Sequence, residues 1–320
     1  MATLAAAAPV RRETEWSVAV AGAALVVFLS AAPFVLYPVF VMKALCFALF
    51  ACAFNLLIGY VGLVSFGHAL YFGWASYLAA YSAKVWGLPP ELAILCGTAT
   101  GAVLGLIAGV VAIRRQGIYF AMITLALAQM MYLVALRAPM TGGEDGIQGV
   151  PRGRLLGVFD LNNEMTMYAF VAVVVLAAFF LIYRIINSPF GEVLKAIREN
   201  EQRAISLGYK TDDYKLVAFV LSATLAGLAG SLKALVFQLA SLTDAHWTMS
   251  GEVVLMTLVG GLGTIFGPIV GAFFIVAMEN YLAQVGQWVL VIQGAVFVIC
   301  VLSFRRGIVG ELAARLRVRL

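Results

Sequence analysis

The chain has 320 residues, of which 63% are hydrophobic and only 12% charged, against about 25% charged in an ordinary soluble domain. With a mean hydropathy of +0.99 it has too little polar surface to clothe a soluble fold. That excludes a cytosolic enzyme, a nucleic-acid-binding domain and a disordered scaffold, and it reads the net charge of +5 as the Lys and Arg excess of cytoplasmic membrane-protein loops.

A helical span takes about 20 residues, so there is room for roughly ten. Residues 1–15 read as a tail in which Arg11 and Arg12 precede an uncleaved first span, Trp16 to Leu36. Apolar runs follow at Val39 to Ile58, Leu63 to Ala83, Leu92 to Ile113 and Ile118 to Leu136. A polar loop, Arg137 to Glu164, separates these from Met165 to Ile186. A charged loop over 187–215 precedes Leu216 to Phe237. Two short pieces, Val253 to Leu262 and Gly267 to Asn280, precede a last run, Gln287 to Phe304, and a basic tail over 305–320. The membrane domain is therefore expected over 16–304. Cys46, Cys52, Cys96 and Cys300 all fall in apolar runs without CxxC or Cys/His spacing, and read as small buried apolar residues.

Orientation follows from the basic residues. With the N-terminus inside, Arg11, Arg12, Arg114, Arg115, Arg184, Lys195, Arg198, Arg203, Lys210, Lys215, Arg305, Arg306, Arg315, Arg317 and Arg319 are internal. Only Lys43, Lys84, Arg137, Arg152 and Arg154 are external, and Lys233 lies within a span near its outer end, where it is expected to snorkel. This asymmetry places both termini in the cytoplasm. It requires the two short pieces to enter and leave on one side, as a re-entrant hairpin or broken helix pair whose irregular backbone faces protein or a watery cavity. A weak internal repeat agrees. Gly62-Leu63-Val64-Ser65-Phe66-Gly67 and Gly261-Leu262-Gly263-Thr264-Ile265-Phe266-Gly267 share glycines, a small hydroxyl residue and a Phe-Gly pair. Glycine-interrupted helices at corresponding places mark inverted repeats. The expected fold is thus all-α and polytopic, with about ten transmembrane or re-entrant helices in two inverted repeats.

The segment Ser188 to Gly208 (SPFGEVLKAIRENEQRAISLG) carries most information. Ser188 and Pro189 suit a helix start and Gly208 a stop. Val193, Ile197, Ala204 and Ile205 form an apolar stripe, and 11 of the 37 charged residues (21 basic plus 16 acidic) lie between Arg184 and Lys215. A plain connection would be a few residues long, and the balanced charge argues against a lipid anchor. A short amphipathic helix here is expected to dock on a soluble partner. The segment resembles the cytoplasmic coupling loop of ABC-importer permeases, specifically those of the branched-chain (hydrophobic) amino acid uptake family. The same resemblance is carried by Gly59 to Ala69 (GYVGLVSFGHA), Arg115 to Ala126 (RQGIYFAMITLA), Thr141 to Ile147 (TGGEDGI) and Leu258 to Pro268 (LVGGLGTIFGP), and spans about residues 40–310.

The resemblance implies a multi-pass permease of the cell's inner (plasma) membrane. It implies two ATP-binding partner subunits, a second related permease and a soluble substrate-binding protein outside. No GxxxxGK[ST] occurs, so ATP is expected to be bound by the partners and this chain to be neither an enzyme nor a holder of cofactor or metal. Gly191, Glu192, Ala196, Arg198, Glu199, Asn200, Ala204 and Gly208 are expected to couple to an ATPase. The breaks, with Ser65, Phe66, Gly67, His68, Thr264, Phe266, Gly267 and Pro268, and the mid-span Asn55, are expected along the substrate pathway. Asn55, Gln129 and His68 also suit plain interhelical hydrogen bonding. His246 reads as a solvated external residue. The glycine-rich loop Thr141 to Pro151, with Glu144 and Asp145, reads as a turn region or a docking surface for the binding protein. Gly97, Gly101, Gly105 and Gly109 put a smooth stripe on one helix face, for packing either within the chain or against the second permease.

Branched-chain amino acids are the expected cargo; urea, amides or small organic acids are the alternative within the same class. An ion-coupled carrier is the alternative outside it, disfavoured because no acidic pair lies mid-span. A membrane-embedded enzyme lacks a nucleophile-base set. A charge on the apolar stripe, such as Ala204→Asp, is expected to abolish ATPase docking.

Overall fold

The computed structural model describes residues 10–155, 157–282, 286, 288–304 and 306–316. Residues 1–9 of the expected tail, and Arg305, Arg317 and Arg319 of the basic tail, lie outside the described residues. The chain is mostly helical: α1 (Val10–Val35), α2 (Pro38–Tyr60), α3 (His68–Lys84), α4 (Pro90–Ala112), α5 (Ile118–Arg137), α6 (Glu164–Ile186), α7 (Pro189–Glu199), α8 (Glu201–Ser206), α9 (Thr211–Phe237), α10 (Trp247–Gly260), α11 (Gly267–Leu282), α12 (Trp288–Ser303) and α13 (Gly307–Leu316). Among the described residues, α2, α4, α5, α6 and α9 are long and apolar enough to cross a membrane, with shorter apolar stretches at Val20–Val35, Gly267–Leu282 and Val291–Cys300.

Helix α1 starts at Val10, so residues 10–15 of the expected tail are helical and continuous with the first apolar run. Proline sets other boundaries. Pro38 and Pro90 occupy the first turns of α2 and α4, where a missing N–H costs nothing.

Burial ranks the helices. In α2, 89% of the apolar window is buried and in α9 67%, against 22% in α5. The bundle is therefore built around α2 and α9. Helices α3 and α4 pack on α9, while α6 and α11 pack on α2, with α10 against α11. The glycine stripe of α4 faces inside this chain. A Cβ at Gly101 would sit 2.8 Å from the Ala223 carbonyl oxygen and 3.0 Å from Gly227 Cα, and one at Gly109 would sit 3.0 Å from the Phe219 ring. Without side chains there, the α4 and α9 backbones close on each other.

Among the described residues, four two-residue strands sit in the connections, a departure from a purely helical chain. Strand β1 (Ile147–Gln148) pairs antiparallel with β4 (Leu239–Ala240), and β2 (Arg154–Leu155) pairs with β3 (Phe159–Asp160). Thus the loop Thr141 to Pro151 is tied down rather than free. Arg152 donates to the Leu235 and Val236 carbonyls (3.3 and 2.7 Å), capping the last turn of α9 with a cation. Lys84 donates to the Gln148 carbonyl at 2.6 Å.

Lys233 does not snorkel. Its ammonium pairs at 2.5 Å with Asp244, and the two side chains are only 11% and 5% exposed. Asp244 also accepts from the Ser241 N–H at 3.3 Å, closing a capping box on a short 3₁₀ turn, Leu242–Ala245. His246 is not simply solvated: it caps α10 and packs edge-on to Tyr132 at 5.1 Å.

Two outcomes follow for stability in detergent. Gly101→Val overpacks the α4–α9 seam and lowers stability by about 1–3 kcal/mol, whereas Gly251→Ala, with nothing within 4 Å of its Cβ, leaves the melting temperature unchanged. Lys233→Met strands a buried carboxylate and costs about 3–5 kcal/mol, read from the same thermal unfolding curves.

Candidate functional site

Two interruptions of the helical path converge at one end of the bundle. The first covers Val61 to Gly67, between α2 and α3. The third apolar run begins at Leu63 in sequence, but its helix begins only at His68. Gly62 takes φ +84°, which favours glycine, and turns the chain out of α2. The second interruption covers Gly261 to Phe266, between α10 and α11, where Gly261 and Gly263 take φ +127° and +74°.

Each interruption leaves helix-start N–H groups without intrahelical partners. Side chains satisfy them. The Ser65 hydroxyl accepts from Gly67 N–H at 3.3 Å, and the Thr264 hydroxyl accepts from Gly267 N–H at 3.1 Å. The small hydroxyl residue before each Phe-Gly pair thus serves the same purpose in both. Elsewhere on the α3 start, Thr124 of α5 accepts from Phe66 N–H at 3.2 Å and Ser250 of α10 accepts from Ala69 N–H at 2.9 Å.

Asn55, one turn before the end of α2, reads the second break directly. Its amide donates to the Thr264 carbonyl at 2.9 Å, and its oxygen accepts from Gly263 N–H at 3.0 Å. The α10–α11 hairpin therefore does not stop midway. Its tip reaches the level of the last turn of α2. A Cβ at Gly59 would sit 2.9 Å from Gly263 N, so the two breaks touch through glycine backbone.

His68 is fully buried at the first position of α3. Ser222 Oγ lies 2.8 Å from its Nε2 and donates its single proton to the Ala53 carbonyl at 2.5 Å. The hydroxyl must then accept, so Nε2 carries the imidazole proton. The Nδ1 atom has no hydrogen-bond partner among the described residues. The rings of Phe54, Tyr71 and Phe219 stand edge-on around it. Phe66 is half-buried, whereas Phe266 is buried and packs on Phe179 of α6 at 5.3 Å. Gly267 and Pro268 are buried in the first turn of α11. The expected pathway residues thus fall into two groups, Ser65 to His68 on α3 and Thr264 to Pro268 on α11, joined by Asn55.

The amphipathic segment is two helices rather than one. Ser188 caps α7, its hydroxyl accepting from Gly191 N–H at 3.3 Å. Asn200 breaks the run by adopting extended backbone (φ −158°) and accepting from Arg203 N–H at 3.0 Å, which caps α8. Gly191 is pressed on the end of α6, where a Cβ would sit 2.7 Å from the Ile185 carbonyl oxygen. Glu192, Ala196, Glu199, Asn200 and Gly208 are exposed, with Glu192 paired to Lys195 at 2.8 Å. Gly208 takes φ +89° at the end of α8.

The buried face consists of Leu194, Ile197 and Ala204, and Ile205 of the expected stripe points outward. Ala204 is packed against its own chain, so an Asp there strikes the fold first and does not test docking. The Arg198 guanidinium donates to the Gly59 carbonyl of α2. Glu201, not singled out in the sequence, holds the segment to its surroundings. It pairs with the buried Lys215 of α9 and accepts from Thr211 at 3.1 Å and from Gln116 at 2.9 Å. These partners lie far apart in sequence, and no local spacing announces them.

A helical bundle with several membrane-length apolar helices, paired glycine breaks and a capped helix pair beside them is a multi-pass membrane protein. The family described as the branched-chain amino acid transport system permease component matches residues 38–301, and the chain belongs to it. This makes it a transport subunit of the inner membrane. Relatives include the high-affinity branched-chain amino acid transport system permease protein LivM of Salmonella typhimurium, 24% identical over 83% of this chain and 68% of that protein. The probable branched-chain amino acid transport permease protein LivH of Methanocaldococcus jannaschii is 24% identical over 64% of this chain and 67% of its own length. The ribose import permease protein RbsC of Bacillus subtilis is 30% identical over 52% of each chain. No solved structure matches this chain.

Asn55→Leu removes both hydrogen bonds to the hairpin tip. Each polar group left unpaired costs about 1–3 kcal/mol, so hydrogen exchange over residues 261–266 is expected to quicken at least several-fold while exchange in the α4–α9 seam stays unchanged.

Proposed function

We propose that this chain is the membrane-spanning subunit of an ABC importer that moves branched-chain or other hydrophobic amino acids inward. The carrying observation is the family match over 38–301, which takes in both breaks and the α7–α8 pair. The LivM relative aligns with 83% of the chain and the ribose permease with 52%, which favours amino acids over sugars as cargo.

In this reading both termini are cytoplasmic and the α7 end of the bundle faces the cytoplasm. The basic residues of the α7–α8 segment support that orientation. Helices α1 to α6 and α9 to α12, with α10 and α11 as a short pair, form two inverted repeats. The matching hydroxyl caps at Ser65 and Thr264 support the repeat. Two ATP-binding subunits bind the nucleotide and dock on the 187–215 segment. This chain pairs with a second related permease, and a soluble binding protein delivers cargo to the opposite face, beside the loop that holds β1 to β3. ATP-driven closure of the ATPases displaces α7–α8 and alternates access between the breaks.

The docking face is the exposed side of the segment. Ile205, Leu207 and Tyr209 are 48%, 70% and 40% exposed, an apolar cluster amid charged neighbours. Such clusters anchor interfaces when they are buried by a partner.

Two measurements test this. Reconstituted with ATPases, companion permease and binding protein, the chain takes up branched-chain amino acids with ATP hydrolysis; uptake by the chain alone, driven by a cation gradient, overturns the reading. Leu207→Asp abolishes co-purification of the ATPase subunits and leaves membrane insertion intact. Normal co-purification with that variant removes the docking assignment.

A further inference from the structure

Arg198 lies at the C-terminal end of α7, in the segment expected to face a soluble partner, yet its side chain reaches the membrane bundle. Its guanidinium donates to the Gly59 carbonyl. That carbonyl belongs to the last turn of α2, where carbonyls lack intrahelical donors and the helix end carries partial negative charge. Helix α2 has no basic residue of its own in that turn, so a cation from another element completes it.

The rest of the side chain lies between the two breaks. A Cβ at Gly62, in the first break, would sit 3.2 Å from Arg198 Cγ, and one at Gly263, in the second, 3.2 Å from Arg198 Nη1. Both positions are glycines at positive φ, +84° and +74°. A side chain at either position would press on Arg198, so the bare glycines leave room for it between the breaks. Asn55 fixes the same hairpin tip from inside the bundle, and Arg198 covers it from outside.

The α7–α8 unit that carries Arg198 is braced as one piece. Glu201 ties it to Lys215 and Thr211 of the α9 start and to Gln116 of the α4–α5 connection. Phe190 stacks on Tyr214 at 5.7 Å. Arg198 is the side chain of this unit that lies against both breaks.

We propose that Arg198 is the positioning residue through which movement of the α7–α8 unit reaches both glycine breaks at once, rather than a contact to the ATPase. The proposal rests on the importer reading above, and extends it by assigning the transmitting side chain.

The test uses the complete importer in liposomes, with uptake and ATP hydrolysis measured together. Arg198→Ala is expected to keep ATPase co-purification and hydrolysis while uptake per ATP falls roughly tenfold, inside the 5–150-fold range of ordinary coupling energies. Arg198→Lys, which keeps one donor for the Gly59 carbonyl, restores part of the ratio. A wild-type ratio in Arg198→Ala overturns the proposal, and so does loss of ATPase co-purification, which would make Arg198 a partner contact. The seat itself is read in the isolated full chain. Hydrogen exchange of Arg198→Ala is expected to rise over both 59–64 and 261–266, and a rise in neither or only one overturns the proposal. If the wild-type importer fails to take up amino acids with ATP, the functional reading falls, while the exchange result still decides the seat.

Discussion

Backbone that leaves a helix inside an apolar bundle must find hydrogen bonds there, because the bilayer core supplies none. This constraint organises the α7 end of the molecule. The α3 and α11 starts each expose N–H groups, and each takes a hydroxyl from its own chain, Ser65 in one case and Thr264 in the other. Thr124 and Ser250 supply the next donors with acceptors from two further helices. Asn55 then satisfies one N–H and one carbonyl of the hairpin tip with a single amide. Each bond is modest, about 1 kcal/mol net, but leaving such a group unmade costs more than making it gains. The positions of α3, α5, α10 and α11 around α2 follow from where those acceptors sit.

Much of this was legible in the sequence, and the reason is local chemistry. Serine before proline at the start of α7 and glycine after α8 act within a few residues, and both appear where the pattern places them. The two breaks were readable because glycine at positive φ leaves a compositional mark. The break at Asn200 was not readable: an asparagine inside an amphipathic run continues a helix or caps a new one with little difference in free energy. Nor was the direction of the apolar stripe. Leu194, Ile197 and Ala204 face the bundle while Ile205 and Leu207 face out, and periodicity fixes a face without saying what covers it. The pairs Lys233–Asp244 and Glu201–Lys215 depend on chain segments brought together only by folding.

The candidate site divides accordingly. Hydroxyl and glycine positions in the breaks could be named from sequence, whereas Asn55 and His68 suited both hydrogen bonding and the pathway, and only their partners distinguish the two. Asn55 is a structural clasp in this conformation, with both amide atoms engaged. His68 has one nitrogen engaged and one without a partner among the described residues, in an aromatic surround that holds the ring in place. A buried acceptor without a donor is costly, which distinguishes His68 from the satisfied polar residues around it.

The seam between α4 and α9 has a kinematic consequence. Where Gly101 meets Ala223 and Gly227 at backbone distance, no flexible side chain lies at that point of the seam to re-pack during a sliding motion. Close-packed surfaces of this kind are stiff and change by jumps rather than by gradual shear. Helices α3, α4 and α9 therefore travel as one plate in any working cycle. On the other flank of α2, the tip of the short hairpin is fixed from inside by Asn55 and covered from outside by Arg198.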